Sequence, residues 1–296
     1  MSTYTISCCS TTDLSKAHLD SREIPYLFFH YSLDDVEYCD DFGESLPTAV
    51  LYEKMLAGAV PKTSQISIGE YQEFFRGILS TGKDLLHITM SSGISGSYRS
   101  AMMAAENIRA EFPERKLYIV DSLAGSSGYG MLMDRLADLR DDGFDIDALH
   151  DWVETHKFEM HHWFCASDLT FLIKGGRISK HAGLVGQMLN ICPIMQLGHE
   201  GRIAVSEKVR GRKKVVKNLI EKCSDLAHNG KAYADSLFIV HSDQQWAEDI
   251  AAQFREHFPA IKEIKIFPIG AAIGCHTGPG TIGVFFWGKP RTAKEA

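Results

Sequence analysis

No run of about eighteen apolar residues occurs in this chain, which excludes a membrane-spanning helix. Its first residues, Met1-Ser2-Thr3-Tyr4, have neither the basic flank nor the long apolar core of a signal peptide. Cysteine stands at seven scattered positions (8, 9, 39, 165, 192, 223 and 275) without a C-x-x-C pair, so neither a zinc site nor a disulfide framework is indicated. Most of these cysteines lie in apolar surroundings, as reduced core thiols do, and the chain reads as cytoplasmic. The absence of G-x-x-x-x-G-K-[ST] excludes a P-loop, and the absence of G-x-S-x-G excludes a nucleophile elbow. Positive charge is also short: 31 Lys and Arg against 38 Asp and Glu leave a net charge of -7. Nucleic-acid binding rests on neutralising phosphates, so no nucleic-acid partner is expected.

What is present is a chain of globular composition, 45% hydrophobic and 23% charged, whose 296 residues suffice for two domains. Apolar runs at Thr3 to Cys8, Ile24 to His30, Leu85 to Met90 and Lys116 to Val120 predict strands. Helical patterns fall at Leu51 to Ala57, Glu70 to Leu79 and Tyr98 to Ile108, and on the stripe Leu132, Leu136 and Leu139, which stops at Gly143. Asp145 is placed to cap a further helix reaching about Phe158. Strands alternating with helices predict an α/β protein with a mostly parallel sheet. The acidic pairs Asp34-Asp35 and Asp40-Asp41 read as exposed loops.

The boundary between two α/β domains is placed at 158/159, giving 1–158 and 159–296. In the second half, strands are predicted at Trp163 to Ala166, Leu237 to His241, Ile264 to Ile269 and Ile282 to Trp287. A hairpin is predicted from Pro193 to Val205, turning at Gly198-His199-Glu200-Gly201. Helices are predicted over Gly183 to Asn190, over Trp246 to Phe258, and from Arg210 along the stripe Val215, Val216, Leu219, Cys223 and Leu226. The parallel first sheet is thus followed by a mixed one.

Two strand-turn-helix units share one design. Ser91-Ser92-Gly93-Ile94-Ser95-Gly96-Ser97 follows the third strand, and Ser122-Leu123-Ala124-Gly125-Ser126-Ser127-Gly128 follows the fourth. Amides that open a helix have no intrahelical acceptor, and glycine lets the backbone approach a ligand closely, so either turn could hold a carboxylate or phosphate. An ordinary turn in which Ser95 or Ser97 caps its helix fits the same letters. Arg177, beside Gly175-Gly176, reads either as a surface arginine or as a cation brought to a ligand. His276 stands in Ile273-Gly274-Cys275-His276-Thr277-Gly278-Pro279-Gly280, read as a loop, where it is either a core histidine or a partner for an anion or for the Ser95 hydroxyl. Gly278-Pro279-Gly280-Thr281-Ile282-Gly283 matches G-x-G-x-x-G, but a strand follows it and the dinucleotide fingerprint needs a helix. His156, His161 and His162 read as a solvated helix end and strand start, and no metal is expected.

Taken in order, Pro61-Lys62-Thr63-Ser64-Gln65, Ser91 to Tyr98, Val120-Asp121-Ser122, Lys174-Gly175-Gly176-Arg177-Ile178-Ser179 and Gly274 to Gly280 resemble the DegV family across nearly the whole chain. The resemblance implies two α/β domains with a long-chain fatty acid in a tunnel between them, no cofactor, and no catalysis by the chain itself. It implies a separate fatty-acid kinase as partner, to which the acyl carboxylate is presented for acyl-phosphate formation, and it allows transient contact with a membrane surface. By the same resemblance Thr63, Ser95 and the Gly96 amide hold the carboxylate, His276 reaches it from the second domain, and Arg177 supports it. Arg210, Arg212 and Lys213 fall where the family carries basic residues implicated in kinase docking. Met102, Met103, Phe171, Leu172, Leu184 and Met188 are candidates to line the tunnel.

Two segments depart from the family pattern. Cys9-Ser10-Thr11 stands for Asp-Ser-Thr, and Asn190-Ile191-Cys192-Pro193 for Asn-Ile-Lys-Pro. Two other readings stay open: a hydrolase or acyl transferase using Ser95 with His276 as its base, and a lipid-responsive adaptor. A triad would need an orienting carboxylate, and none is obvious near either residue.

Overall fold

The computed structural model describes residues 3–179 and 191–292. In chain order the first part comprises β1 (Tyr4–Cys9), a 3-10 turn at Ser10–Thr12, α1 (Lys16–Ser21), β2 (Tyr26–Leu27), β3 (His30–Leu33), β4 (Val36–Cys39), α2 (Thr48–Leu56) and β5 (Lys62–Ser64). It continues with α3 (Ile68–Leu79), β6 (Asp84–Thr89), α4 (Ser97–Glu111), β7 (Leu117–Asp121), α5 (Ser126–Asp141) and α6 (Ile146–His156). The second part holds β8 (Met160–Cys165), α7 (Thr170–Lys174), β9 (Ile191–Leu197), β10 (Ile203–Arg210) and α8 (Arg212–Leu226). It closes with β11 (Leu237–His241), α9 (Gln244–His257), β12 (Ile264–Pro268), α10 (Ala271–Thr277) and β13 (Ile282–Trp287).

Among the described residues these strands form three sheets. The order β2-β1-β6-β7 is parallel throughout, as the apolar runs predict. The order β10-β9-β8-β13-β11-β12 is mixed, with β11 and β12 parallel and the other pairs antiparallel. A small antiparallel sheet, β4-β3-β5, places Thr63 opposite Tyr31. No described helix is long and apolar enough to cross a membrane.

Local signals explain most boundaries. Ser67 caps α3 in a reciprocal capping box with Glu70: its Oγ accepts from the Glu70 amide at 3.2 Å, and its own amide donates to Glu70 Oε2 at 2.8 Å. Asp145 accepts from the Ala148 amide at 2.8 Å and opens α6. The expected hairpin forms as β9 and β10, paired from Leu197 opposite Ile203 to Ile191 opposite Arg210.

Helix α5 departs from the single stripe that its leucines suggested. Tyr129, Met131, Leu132, Met133, Leu136 and Ala137 are all buried, and the helix packs against β1 on one side and β8, β11 and β13 on the other. Covered on both of these sides, the helix joins the two large sheets into one core, while Asp138 and Asp141 keep its C-terminal end in solvent. Gly130 is required by that contact, since a Cβ there would stand 2.8 Å from the Thr12 carbonyl.

Other expectations need correction. The run from Ile24 to His30 is not one strand: β2 covers two residues, and β3 begins at His30 in another sheet. The segment at Ile273 is helical, not a loop, so His276 lies in the last turn of α10. His161 and His162 are buried within β8 at 2% and 1% exposure, not solvated, because α5 and β13 cover the strand. The expected helix over Gly183 to Asn190 lies outside the described residues.

Candidate functional site

A cavity of about 400 Å³ opens between the parallel and mixed sheets. Much of its wall is apolar, with Met90, Ile94, Phe164, Leu172, Leu197 and Phe285 among the lining residues. Thr63, Ser95, Gly96, Arg177 and His276 all line it as well. No Asp or Glu stands among the described lining residues, so the Arg177 charge faces no carboxylate in the wall.

Four places in the chain position the five, Ser95 and Gly96 sharing one turn. Thr63 lies in β5, and α10 packs against both β3 and β5. This contact brings His276 Nε2 to 2.8 Å from Thr63 Oγ1. Burial, followed by the neighbouring Arg177 charge, lowers the His276 pKa to about 4, so the ring is neutral at pH 7. Its Nδ1 is buried and without a hydrogen-bond partner among the described residues. A Cβ at Gly175 would overlap that nitrogen, and Gly176 has φ +73°, which gives a physical reason for the paired glycines before Arg177. Arg177 donates from Nε to the Ile94 carbonyl at 3.0 Å and from Nη1 to the Gly175 carbonyl at 2.6 Å, so the guanidinium ties the first Ser/Gly turn to the second half of the chain. Burial pulls its pKa down, though an arginine stays charged.

The Ser/Gly turn after β6 makes the local cap that its sequence allows and also borders the cavity. Ser95 Oγ accepts from the Ser97 amide at 3.2 Å, as a helix cap would, while Ser95 lines the cavity. Gly96 is the residue before α4, and a Cβ there would overlap the Gln65 side chain. Gln65 in turn donates to Ser100 Oγ at 2.9 Å and holds the Pro61–Gln65 segment over the helix start. Gly93 serves a contact with protein: the hairpin tip packs there, with the Gly201 carbonyl 2.6 Å from where a Cβ would stand. Ser91 Oγ donates to that same carbonyl at 2.8 Å.

No Ser-His-carboxylate triad is assembled among the described residues. His276 bonds Thr63, not Ser95, and its other nitrogen has no acid beside it. Of the tunnel candidates, Leu172 lines the cavity, whereas Phe171 packs in the separate cluster with Tyr31, Leu51 and Cys275. Met103 is 46% exposed and Met102 packs against the core; neither is in the wall, because this face of α4 turns away from the mixed sheet. Leu184 and Met188 lie outside the described residues. Arg210, Arg212 and Lys213 are exposed and do not line the cavity. Arg212 pairs with Asp243 at 2.7 Å and lies 4.5 Å over the Trp246 ring.

Sequence reasoning missed two acids that hold α10 in place. Asp40, read as part of an exposed loop, is 2% exposed: Oδ1 accepts from the Ala271 amide at 2.8 Å, and Oδ2 accepts from Ser10 Oγ at 2.9 Å. Asp13, in the left-handed region at φ +49°, accepts from the Gly270 amide at 3.0 Å and from the Ser126 hydroxyl. The residues they meet are remote in sequence, so no local spacing could show the pairing.

Burial above all, with Asp40 nearby, raises the Asp13 pKa to about 8. A native pKa above the unfolded value of about 3.9 means that folding takes up a proton between the two. The contribution of Asp13 is therefore greatest below about pH 4 and is lost as pH rises through about 8. Asp13→Asn is expected to flatten this dependence and to stabilise the protein by roughly 2 kcal/mol at pH 8. Urea unfolding of both proteins at pH 5 and pH 8 tests it, and equal slopes against pH would overturn the assignment.

A model of the DegV family, described as "Uncharacterised protein, DegV family", matches residues 6–289. A DegV domain-containing protein from Clostridium perfringens is 35% identical over 292 residues, which cover 98% of this chain and 99% of that protein. One from Streptococcus pyogenes is 34% identical, covering 97% of this chain and 99% of its own. Among solved structures, a fatty-acid-binding DegV family protein from Thermus thermophilus aligns with a TM-score of 0.84 at 27% identity, over 97% of this chain and 99% of that one. The Streptococcus pneumoniae Fatty Acid Kinase (Fak) B3 protein, loaded with linoleic acid, aligns with a TM-score of 0.84 at 22% identity, over 98% and 100% of the two chains. At that identity the likeness is one of fold.

Proposed function

The chain belongs to the DegV family, and on that premise we propose that it binds a long-chain fatty acid in the cavity between its sheets, as a carrier without catalysis of its own. The observation that carries this reading is the composition of the cavity wall: apolar over much of its area, with one cation, two hydroxyls and a helix-opening amide at one place, and no acid. Each buried methylene contributes about 0.8 kcal/mol, so the acyl chain supplies most of the attraction. Its carboxylate accepts from Thr63, Ser95 and the Gly96 amide beside Arg177. With its proton on Nε2, the neutral His276 ring donates to Thr63 Oγ1 and leaves the threonine hydrogen free for the carboxylate. The acid is held and not attacked, so no proton transfer and no cofactor is invoked.

In this reading the chain divides at 158/159, acts in the cytoplasm, and presents the carboxylate to a separate fatty-acid kinase. The Fak B3 neighbour supports that partner. Arg210 and Lys213 form the exposed docking charge, with Arg212 held beside them by Asp243. Charge reversal by Arg210→Glu with Lys213→Glu is expected to weaken kinase association at least tenfold while leaving fatty-acid affinity unchanged. A change in lipid affinity instead would remove these residues from the docking role.

The direct experiment is mass spectrometry of organic extracts from protein purified without added lipid. A stoichiometric long-chain fatty acid is expected. An empty protein that also takes up no added fatty acid would refute the proposal.

A further inference from the structure

The face of the mixed sheet that turns away from the cavity carries two cysteines on neighbouring strands. Phe164 and Leu197 line the cavity from one face of β8 and β9. Cys165 and Cys192 belong to the other face, in the core cluster that holds Val215, Val216 and Leu219 of α8. In the pairing of β8 with β9, Cys165 stands opposite Ile194, where that pairing ends. Cys192 lies two residues from Ile194 along β9. Side chains alternate along a strand, so Cys192 is the diagonal neighbour of Cys165 on one face. Both are free thiols, Cys165 buried and Cys192 half-buried, and the two side chains hydrogen-bond to each other.

The register of the hairpin sets the rest of the surroundings. Cys192 pairs with Val209, and Ile191 with Arg210, so the start of α8 follows directly beside the cysteine. The hydrogen bond from Cys165, then the Gly211 amide and the Arg212 charge, hold the Cys192 thiol below its ordinary pKa against its burial. Cys165 keeps its proton, pushed well up by the same hydrogen bond and by burial. Burial also raises the thiols of Cys8, Cys9, Cys223 and Cys275, and of half-buried Cys39. The thiolate is the reactive form, so Cys192 stands apart from the other six.

We propose that Cys192 and Cys165 form a peroxide-sensitive modification site, in which Cys192 is oxidised first and Cys165 then closes a disulfide across β8 and β9. The Cys192 thiolate attacks one oxygen of hydrogen peroxide; the O–O bond breaks, leaving a sulfenic acid and hydroxide. Cys165 gives its proton to that hydroxide, and its sulfur attacks Cys192. The S–S bond forms as the S–O bond breaks, and the sulfenic oxygen leaves and is protonated to water. Two thiols are oxidised and one peroxide is reduced to two waters. Diagonal Cα atoms stand about 7–8 Å apart and a disulfide spans about 4.4–6.8 Å, so closure needs a shift of roughly 1 Å. Cys192 lies beyond the end of the β8–β9 pairing, where the strands are free to make that shift. This goes beyond the fatty-acid reading and does not depend on it.

The test treats the reduced full chain with hydrogen peroxide at pH 7, then alkylates it under denaturing conditions and maps the peptides by mass spectrometry. A cross-link joining the Cys165 and Cys192 peptides, two hydrogens lighter, is expected to form about tenfold faster than any other cysteine is oxidised. Cys165→Ala is expected to stop at a sulfenic acid on Cys192, trapped by dimedone, and Cys192→Ser to leave Cys165 reduced. Fatty-acid affinity is expected to be unchanged in both variants, because the pair faces α8 and not the cavity. Oxidation of Cys192 no faster than that of half-buried Cys39 would overturn the inference. So would a wild-type protein in which Cys192 is oxidised while Cys165 is still alkylated. If Cys165→Ala does not fold, the wild-type map and Cys192→Ser decide between these outcomes.

Discussion

Thr63→Val with Ser95→Ala lowers the affinity for a long-chain fatty acid by about 10²- to 10⁴-fold, the largest change expected of any pair in the cavity wall. A hydrogen bond to a charged group contributes about 1.5–3 kcal/mol, and two are removed while the carboxylate stays buried. Valine keeps the shape of Thr63 within β5, so the sheet contact with Tyr31 is retained. Alanine at Ser95 also removes the acceptor for the Ser97 amide, a capping loss of about 1 kcal/mol. That cost appears in thermal unfolding and is separable from the loss of ligand. Fluorescent fatty-acid displacement gives the affinity, and mass spectrometry gives the bound content after purification. A double variant that still copurifies with a full complement of fatty acid would move the carboxylate elsewhere in the cavity.

Arg291→Ala is expected to destabilise the protein by about 3–4 kcal/mol, a large share of a typical folding free energy. The residue is 3% exposed. Nη1 donates to the carbonyls of Leu197 and Gly198 at 3.1 and 2.7 Å, and Nη2 to those of Leu123 and Lys157 at 3.0 and 3.2 Å. Its backbone joins the same place, the amide donating to the Phe158 carbonyl at 2.8 Å and the carbonyl standing 2.9 Å from His199 Nδ1. One guanidinium therefore pins the hairpin, the second Ser/Gly turn and the segment before β8. Removing it strands several buried carbonyls at once. Arg291→Lys recovers less than half of the loss, because an ammonium cannot span the same set of acceptors. Urea unfolding measures both, and an alanine variant within 1 kcal/mol of wild type would show that water replaces the arginine. Leu197 also lines the cavity, so ligand affinity is expected to fall along with stability.

Parts of the site were legible because they depend on local chemistry. The Ser/Gly turn after β6 and the Lys174-Gly175-Gly176-Arg177 block carry residue types whose uses are few, and both reach the cavity. The glycines were legible as required but not as to why. Gly93 admits the hairpin, Gly96 admits Gln65, and Gly175 admits the His276 ring, and each reason lies on a distant element. Asp40 shows the opposite failure. Its neighbours Asp41 and Glu44 are partly exposed, so its own burial under α10 left no mark on the local pattern.

The amino-acid sequence by itself determined the alternation of strands and helices, the parallel first sheet and the caps at Ser67 and Asp145, which follow from periodicity, capping and side-chain chemistry within a few residues of each position. The set of residues proposed to meet an anion came from the resemblance to the DegV family, since local spacing left each of them a second reading. Tertiary structure alone decided that Thr63 and His276, 213 residues apart, share one hydrogen bond, and that α5 is buried between two sheets. It also decided that Asp13, Asp40, His162 and Arg291 are enclosed. Burial of a polar group and the partner that satisfies it are supplied by elements remote along the chain, and the physical consequences of the site, its neutral imidazole and its uncompensated cation, arise only when those elements close around one cavity.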